Sequence, residues 1–210
     1  MADLPEQIDR ARAALGSDRH CLFVGSLVER KGPDILLRAL TGTGLPCIFV
    51  GDGPQRAALE RLATRSGLAD RVVFTGAVEH GAVRSYYSGA ELLVLPSVSE
   101  GVPLVAIEAL GAGIPVVASN LTGISTVVRH GENGLLVKPG DERSLARALS
   151  LLEADPDLLA KLRHGAESSH QVLTSWADVA GQLGALYRGH DLAAEALPAA
   201  PQPEQAVANA

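Results

Sequence analysis

Short apolar runs alternate with segments of helical periodicity along residues 20–140. Six of the runs have the length and composition of strands: "HCLFVG", "LPCIFVG", "DRVVFTG", "ELLVLP", "IPVVAS" and "NGLLVKP". Their apolar residues fall on both faces, which is typical of parallel strands covered by helices on each side. The alternation therefore predicts an α/β fold, a Rossmann-like, doubly wound parallel sheet of about six strands.

Prolines and a glycine mark the ends of three predicted helices. Pro33, Pro54 and Pro103 each stand where the first residue of a helix is expected. Gly67 is placed to stop the helix that follows Pro54. The helix from Pro103 is expected to run to about Ala112.

Further helices are predicted in the rest of the chain. Short ones are expected over 80–90 and over 125–129. From residue 141 the periodicity is helical throughout and predicts C-terminal helices at "DERSLARALSLLEA", "PDLLAKLRHGAESSHQ" and "WADVAGQLGALYRG". The predicted organisation is a helical lead-in over 1–19, one α/β domain over 20–189, and a disordered Ala- and Pro-rich tail over 190–210.

Composition narrows the class of protein. The 210 residues carry a net charge of −6, which argues against a nucleic-acid partner because such surfaces are basic. Only 3% of the residues are aromatic, so the core must be aliphatic. Cys21 and Cys47 lie in apolar runs, which suits reduced, buried thiols. With no signal peptide, membrane span or metal-ligand spacing in the sequence, we expect a soluble, cytoplasmic protein without a metal site.

The loop after the first strand, "VGSLVERKG", is a candidate phosphate site. A glycine-bearing loop that leads into a helix offers backbone N–H groups to an anion, and Lys31 adds a positive charge. In the alternative interpretation, Lys31 is a solvated loop residue and Gly25 and Gly32 only make turns.

The loop after the second strand, "VGDGP", has two interpretations. Gly51 and Gly53 permit a ligand to approach the backbone closely. Asp52 and Gly53 are equally suited to a turn and a helix cap before Pro54.

The stretch "SEGVPLVAIEALGAGIPVV" holds two carboxylates in an apolar run. Glu100 precedes the start of a predicted helix and could reach a sugar hydroxyl, whereas Glu108 lies within that helix. A ribose offers two adjacent hydroxyl donors to such a carboxylate. Alternatively, Glu100 is a surface residue favoured by the helix dipole, and Glu108 a partly exposed helical residue.

Together these stretches resemble the donor-binding domain of the retaining, GT-B-fold, family 4 glycosyltransferases, also described as glycosyl transferases group 1. In that family a "G(R/S)LxxxKG" loop, a "VGxGP" turn and two glutamates that bracket seven residues recur in this order. Here they are "GSLVERKG", "VGDGP" and "EGVPLVAIE". The resemblance runs from about His20 to Arg188 and includes "FTGAV", "GIPVVAS" and "HGENGLLVKPGD".

The resemblance implies a role for each matching residue. Lys31 would contact the diphosphate of a nucleotide sugar, Glu108 would hold the ribose hydroxyls, and Glu100 would engage the sugar near its anomeric carbon. Lys31 and Glu100 are thus the expected catalytic residues. The remaining expected donor contacts are Gly25, Ser26, Gly51, Val78 beside the base, Gly101, Val102, Pro103 and Leu104.

Two positions depart from the family pattern. Ser26 stands where many relatives have arginine, so one cation near the diphosphate is missing. Thr126 stands where a glutamate is usual after "GIP".

The implied function is donor binding in a retaining, hexosyltransferase-type enzyme that needs no metal or cofactor. The family's other domain binds the acceptor, so we expect an N-terminal acceptor-binding domain or a separate subunit as partner, with any peripheral membrane contact made through it. Residues 1–19 would lead in from the interdomain linker. The chain would then be a fragment of a longer enzyme, half of a split enzyme or a stand-alone protein.

The sequence also allows two other functions. One is a non-catalytic nucleotide-sugar-binding subunit or sensor. The other is a nucleotide-dependent oxidoreductase, which is disfavoured because no GxGxxG follows the first strand.

Overall fold

The predicted parallel sheet is present in a computed structural model, which describes Ala13, Leu15 and residues 19–169. Its strands are β1 (Cys21–Val24), β2 (Cys47–Val50), β3 (Val72–Gly76), β4 (Leu92–Leu95), β5 (Val116–Ser119) and β6 (Gly134–Val137). All neighbouring strands pair in parallel, in the order β3-β2-β1-β4-β5-β6. This order confirms the doubly wound α/β fold that the sequence predicts.

The helices connect successive strands and extend beyond the last one. They are α1 (Pro33–Leu40), α2 (Arg56–Arg65), α3 (His80–Tyr87), α4 (Leu104–Gly111), α5 (Thr122–Ser125), α6 (Glu142–Ala154) and α7 (Pro156–Ser169). A single 3-10 turn, Glu29–Lys31, precedes α1. The start of α6 is fixed by Asp141, whose side chain accepts hydrogen bonds from the backbone N–H groups of Arg143 and Ser144.

The core is mainly aliphatic, with a small aromatic stack. Alternate residues of β1 and β2, among them Phe23 and Phe49, face a buried cluster that includes leucines of α1, α6 and α7. The Phe49 ring centroid lies 5.2 Å from that of Phe23 and 4.9 Å from that of Phe74. These strands are buried throughout because helices cover the sheet, as their unbroken apolar runs indicate.

Two of the three proline-based helix starts are wrong by one or two residues. Pro33 does begin α1, but α2 begins at Arg56 and α4 at Leu104. Pro54 lies in a turn, because the chain after β2 is first held to the β1 loop by a bond from Gln55 N to Leu27 O. Pro103 is the N-cap of α4: its backbone is extended, while its carbonyl already accepts from the helix.

The short helix expected over 125–129 lies earlier, at Thr122–Ser125. The reason is the buried side chain of Asn133, which accepts from Arg129 N and donates to Val127 O. These bonds hold 126–133 as a loop, because a polar side chain takes the place of helical backbone partners.

Several predictions lie outside the described residues. These are most of the lead-in over 1–19, the helix "WADVAGQLGALYRG" and the tail over 190–210. The domain boundaries therefore stay predictions. Within the described part of the chain, none of the helices has the length and apolar character needed to cross a bilayer.

Candidate functional site

The candidate site lies where the direction of strand succession reverses, between β1 and β4. In open α/β sheets, ligands bind outside the carboxyl ends of the strands at such a switch point. The loop over 25–32 follows β1 and the loop over 96–103 follows β4. We refer to the space between these two loops as the β1–β4 crevice.

The two loops of the crevice are fastened to each other. Val98 N donates to Arg30 O at 2.9 Å. Gly32 has a φ of 65°, and a Cβ built on it would lie 2.3 Å from Pro96 O. Only glycine fits this close approach, so Gly32 sets the spacing of the crevice.

Lys31 and Glu100 meet in the crevice although they are 69 positions apart in the sequence. The Lys31 ammonium donates to Glu100 Oε2 and forms an ion pair with it. The Lys31 side chain is 20% exposed and that of Glu100 is 12% exposed. The charges are therefore shielded from bulk water but open to a ligand.

Ser97 adds a neutral donor to this pair. Its hydroxyl donates to Glu100 Oε2 at 3.2 Å, and the residue is buried. Sequence reasoning missed Ser97, which appears only as part of the apolar "VLPS" strand end. The chain bends between Ser97 and Glu100, and the bend places the Glu100 carboxylate beside the Ser97 hydroxyl.

The glycines of "VGDGP" serve the packing of one loop on another. Gly51 has a φ of 136°, and a Cβ there would lie 2.0 Å from Gly25 O. A Cβ on Gly53 would lie 2.5 Å from Leu27 O, and Leu27 N donates to Asp52 O. Loop packing accounts for both glycines, and a ligand contact at Gly51 stays a prediction.

Glu108 lies in the second turn of α4 and is half-buried. The hydroxyl of Tyr87, at the end of α3, donates to Glu108 Oε2 at 3.0 Å. Burial, and then the nearby Glu108 carboxylate, raise the pKa of Tyr87 above its ordinary value. The carboxylate is thus not isolated in an apolar helix. No pattern in "RSYYSGAE" singles out Tyr87 for this role, so sequence reasoning missed it.

Exposed apolar side chains border Glu100 along the second loop. Val98 is 43% exposed, Val102 56% and Leu104 53%. The backbone of Gly101, which lies between Val98 and Val102, packs directly against Gly123 of α5. A Cβ on Gly123 would lie 2.1 Å from Gly101 O. The predicted donor contacts over 101–104 therefore sit on a supported backbone, although Pro103 itself is buried.

The other predicted contacts lie on neighbouring loops of the same sheet edge. Gly25 follows β1 directly and donates its N–H to Val50 O, while Ser26 is exposed. Val78 lies two residues beyond β3 and is half-buried. Thr126 uses its hydroxyl locally, donating to Gly123 O at 2.8 Å. Among the described residues, no three His, Cys, Asp or Glu side chains form a group able to hold a metal ion.

Comparison with known proteins gives consistent matches. The family model described as "Glycosyl transferases group 1" matches residues 6–169. The alpha-D-kanosaminyltransferase of Streptomyces kanamyceticus is 34% identical over 184 residues, a match that covers 85% of this chain and 48% of that enzyme.

Two solved structures share the fold and part of the sequence. The sucrose-phosphate synthase of Thermosynechococcus elongatus is 36% identical with a TM-score of 0.76, covering 86% of this chain and 48% of that one. Anabaena HepE, in complex with UDP-glucose, is 27% identical with a TM-score of 0.78, covering 88% and 53%. The chain spans about half the length of each of these three proteins.

Proposed function

The chain belongs to the glycosyl transferases group 1 family, and on that premise we propose that it is a donor-binding module for a nucleoside-diphosphate sugar. The observation that carries the proposal is the meeting of Lys31 and Glu100 in the β1–β4 crevice. A cation and a carboxylate side by side suit a ligand with an anionic diphosphate next to a hydroxyl-bearing sugar.

In the proposed complex the two charges exchange partners. The Lys31 ammonium binds the diphosphate, and the Glu100 carboxylate, released from Lys31, accepts hydrogen bonds from the sugar hydroxyls. Ser97 holds Glu100 in place during this exchange because it is buried and already donates to the same oxygen. Glu108 accepts from the ribose hydroxyls.

The proposed reaction is retaining transfer of the sugar. The bond between the anomeric carbon and the diphosphate oxygen breaks, and a bond from the acceptor oxygen forms on the same face of the sugar. The acceptor's proton passes to the leaving diphosphate. Lys31 and the N-terminal N–H groups of α4 stabilise the charge that develops there, so the step needs neither metal nor cofactor.

We propose UDP-sugars as the first donors to test, because HepE, which is 27% identical to this chain over the matched region, was solved with UDP-glucose. The acceptor is assigned to a second domain or a separate subunit, since the chain spans half the length of its relatives.

Two buried, unlinked cysteines suit a cytoplasmic location.

Binding is the direct test. The chain is titrated calorimetrically with UDP, GDP and ADP, and then with the sugar conjugates of the tightest binder. We expect one nucleoside diphosphate to bind and to raise the melting temperature. Failure of all three to bind would refute the proposal.

The half-length match also supports a second candidate, a non-catalytic nucleotide-sugar-binding subunit. The two functions differ when an acceptor-binding domain from a relative is added to the chain. Sugar transfer detected by mass spectrometry identifies the enzyme half, whereas binding without any transfer favours the subunit.

A further inference from the structure

The hydrogen bond between Tyr87 and Glu108 joins helices α3 and α4, and the proposed reaction assigns no role to Tyr87. Tyr87 is the last residue of α3, and Glu108 lies in α4. The phenol oxygen lies 3.0 Å from Glu108 Oε2 and 3.4 Å from Val105 O. The hydroxyl thus contacts both the carboxylate and the backbone of the turn that carries it.

Tyr87 is well suited to hold a carboxylate. Its side chain is only 1% exposed, so the packed ring has little freedom to move. Because burial and the Glu108 carboxylate raise the pKa of Tyr87, its phenol stays protonated at neutral pH and remains a hydrogen-bond donor.

We propose that Tyr87 is a positioning residue that fixes the Glu108 carboxylate for reading the ribose hydroxyls. The inference rests on the proposed function, in which Glu108 binds the ribose. A free glutamate side chain loses rotamer freedom when it binds a ligand, and that cost is removed if the carboxylate is already held. A carboxylate has about four acceptor positions, so the bond to Tyr87 is compatible with two ribose hydroxyls.

Tyr86 provides a matched control. It precedes Tyr87 on α3 and is equally buried, at 1% exposure. Its hydroxyl is also buried and lies beside the side chain of Thr75. Replacing either tyrosine by phenylalanine removes one buried hydroxyl from the same helix, but only one replacement removes a contact to Glu108.

The experiment compares a ribonucleotide with its 2′-deoxy analogue. Of UDP, GDP and ADP, the tightest binder and its 2′-deoxy form are titrated calorimetrically into wild type, Tyr87→Phe, Tyr86→Phe and Glu108→Gln. We expect wild type to prefer the ribonucleotide roughly tenfold, the effect of about one hydrogen bond to a charged group. Tyr87→Phe and Glu108→Gln should lose most of this preference, and Tyr86→Phe should keep it.

The outcomes separate this inference from the proposed function. If no nucleotide binds to wild type, both are overturned. If nucleotides bind but Tyr87→Phe keeps the wild-type preference, or loses affinity for both analogues equally, Tyr87 is only a structural residue and this inference alone is overturned. Equal binding of both analogues by wild type also overturns it, because no ribose reading is then left to position.

A measurement that keeps Tyr87 covers the case in which Tyr87→Phe does not fold. The chain has three tyrosines, at 86, 87 and 187. With Tyr86 and Tyr187 replaced by phenylalanine, 3-fluorotyrosine labelling gives one fluorine resonance, from Tyr87. We expect the ribonucleotide to shift it more than the 2′-deoxy analogue does, and equal shifts would overturn the inference.

Discussion

Lys31 and Glu100 stabilise each other as an ion pair in the β1–β4 crevice. Both side chains are largely buried, at 20% and 12% exposure. Removing one partner of such a pair leaves the other charge shielded and unpaired, which is costlier than losing an exposed salt bridge. Any substitution here therefore changes the stability of the crevice as well as the proposed binding of a donor.

Lys31→Ala should weaken nucleoside diphosphate binding by about 1–3 kcal/mol, the range for a hydrogen bond to a charged group. Calorimetry of the diphosphate and of the bare nucleoside measures the effect. The loss should be confined largely to the diphosphate, because the nucleoside offers Lys31 no anion. Lys161→Ala, an exposed lysine on α7, is the control for charge alone. Equal losses for both ligands would show that Lys31 is a simple loop residue.

Glu100→Gln should separate the diphosphate from the sugar. The amide keeps the size of the side chain but no longer competes for the Lys31 ammonium, so UDP should bind as tightly as to wild type or more tightly. The affinity that glucose adds in UDP-glucose should fall, because Gln accepts hydrogen bonds less strongly than a carboxylate. Titration of both ligands measures the difference. A parallel loss for UDP and UDP-glucose would contradict the proposed exchange of partners.

At the scale of elements, the site depends on direct backbone packing between neighbouring loops, at glycines where no side chain would fit. The β2 loop lies against the β1 loop at Gly51 and Gly53, and the β1 loop lies against the β4 loop at Gly32. Each contact places a backbone carbonyl where a Cβ would otherwise be. The Gly32 contact and the bond from Val98 N to Arg30 O thus set the position of Lys31 relative to Glu100, and the contacts at Gly51 and Gly53 support the β1 loop from its other side.

Gly51→Ala should disturb this arrangement. The new Cβ would meet Gly25 O, and φ at this position is 136°, so we expect the free energy of unfolding to fall by about 1–3 kcal/mol. Urea denaturation measures the loss. Gly81→Ala is the control, because a Cβ there meets nothing within 4 Å and alanine favours the helix. Unchanged stability in Gly51→Ala would mean that the β1 loop is free to move away.

The elements that the sequence predicts best are those with a strong local pattern. The strands were predictable because burial on both faces forces an unbroken apolar run, as in Leu92–Leu95. The helix starts at Pro54 and Pro103 were misplaced because proline suits both a turn and the first turn of a helix. Tertiary bonds, such as Gln55 N to Leu27 O, decide between the two.

The site was predictable only in part for a related reason. Lys31, Glu100 and Glu108 are predicted from motifs that follow the order of a known family, and the structure brings Lys31 and Glu100 together. Ser97 and Tyr87 carry no such pattern, and their importance depends on which carboxylate lies beside them after folding. Contacts across elements of this kind are set by packing, which periodicity does not encode.

At the scale of the whole molecule, the half-length match and the exposed apolar surface beside the crevice both fit a site that a second domain completes. One side of the proposed donor site is formed by this chain, and next to it Val98, Val102 and Leu104 expose apolar surface. Exposed apolar side chains beside a polar site are typical of surfaces that a ligand or a second domain covers. Because the whole chain carries a net charge of −6, the proposed attraction of an anionic donor depends on the local cation at Lys31.

The pairing of β1 with β2 has a practical consequence for labelling. Cys21 and Cys47, the only cysteines of the chain, face each other in register at 0% exposure, and burial raises the pKa of Cys47. The folded chain should therefore not react with maleimides, and both thiols should react after unfolding. Ser99→Cys, at an exposed position beside Glu100, would then give a single fluorophore attachment point that reports donor binding. Rapid modification of the folded wild type would contradict this use.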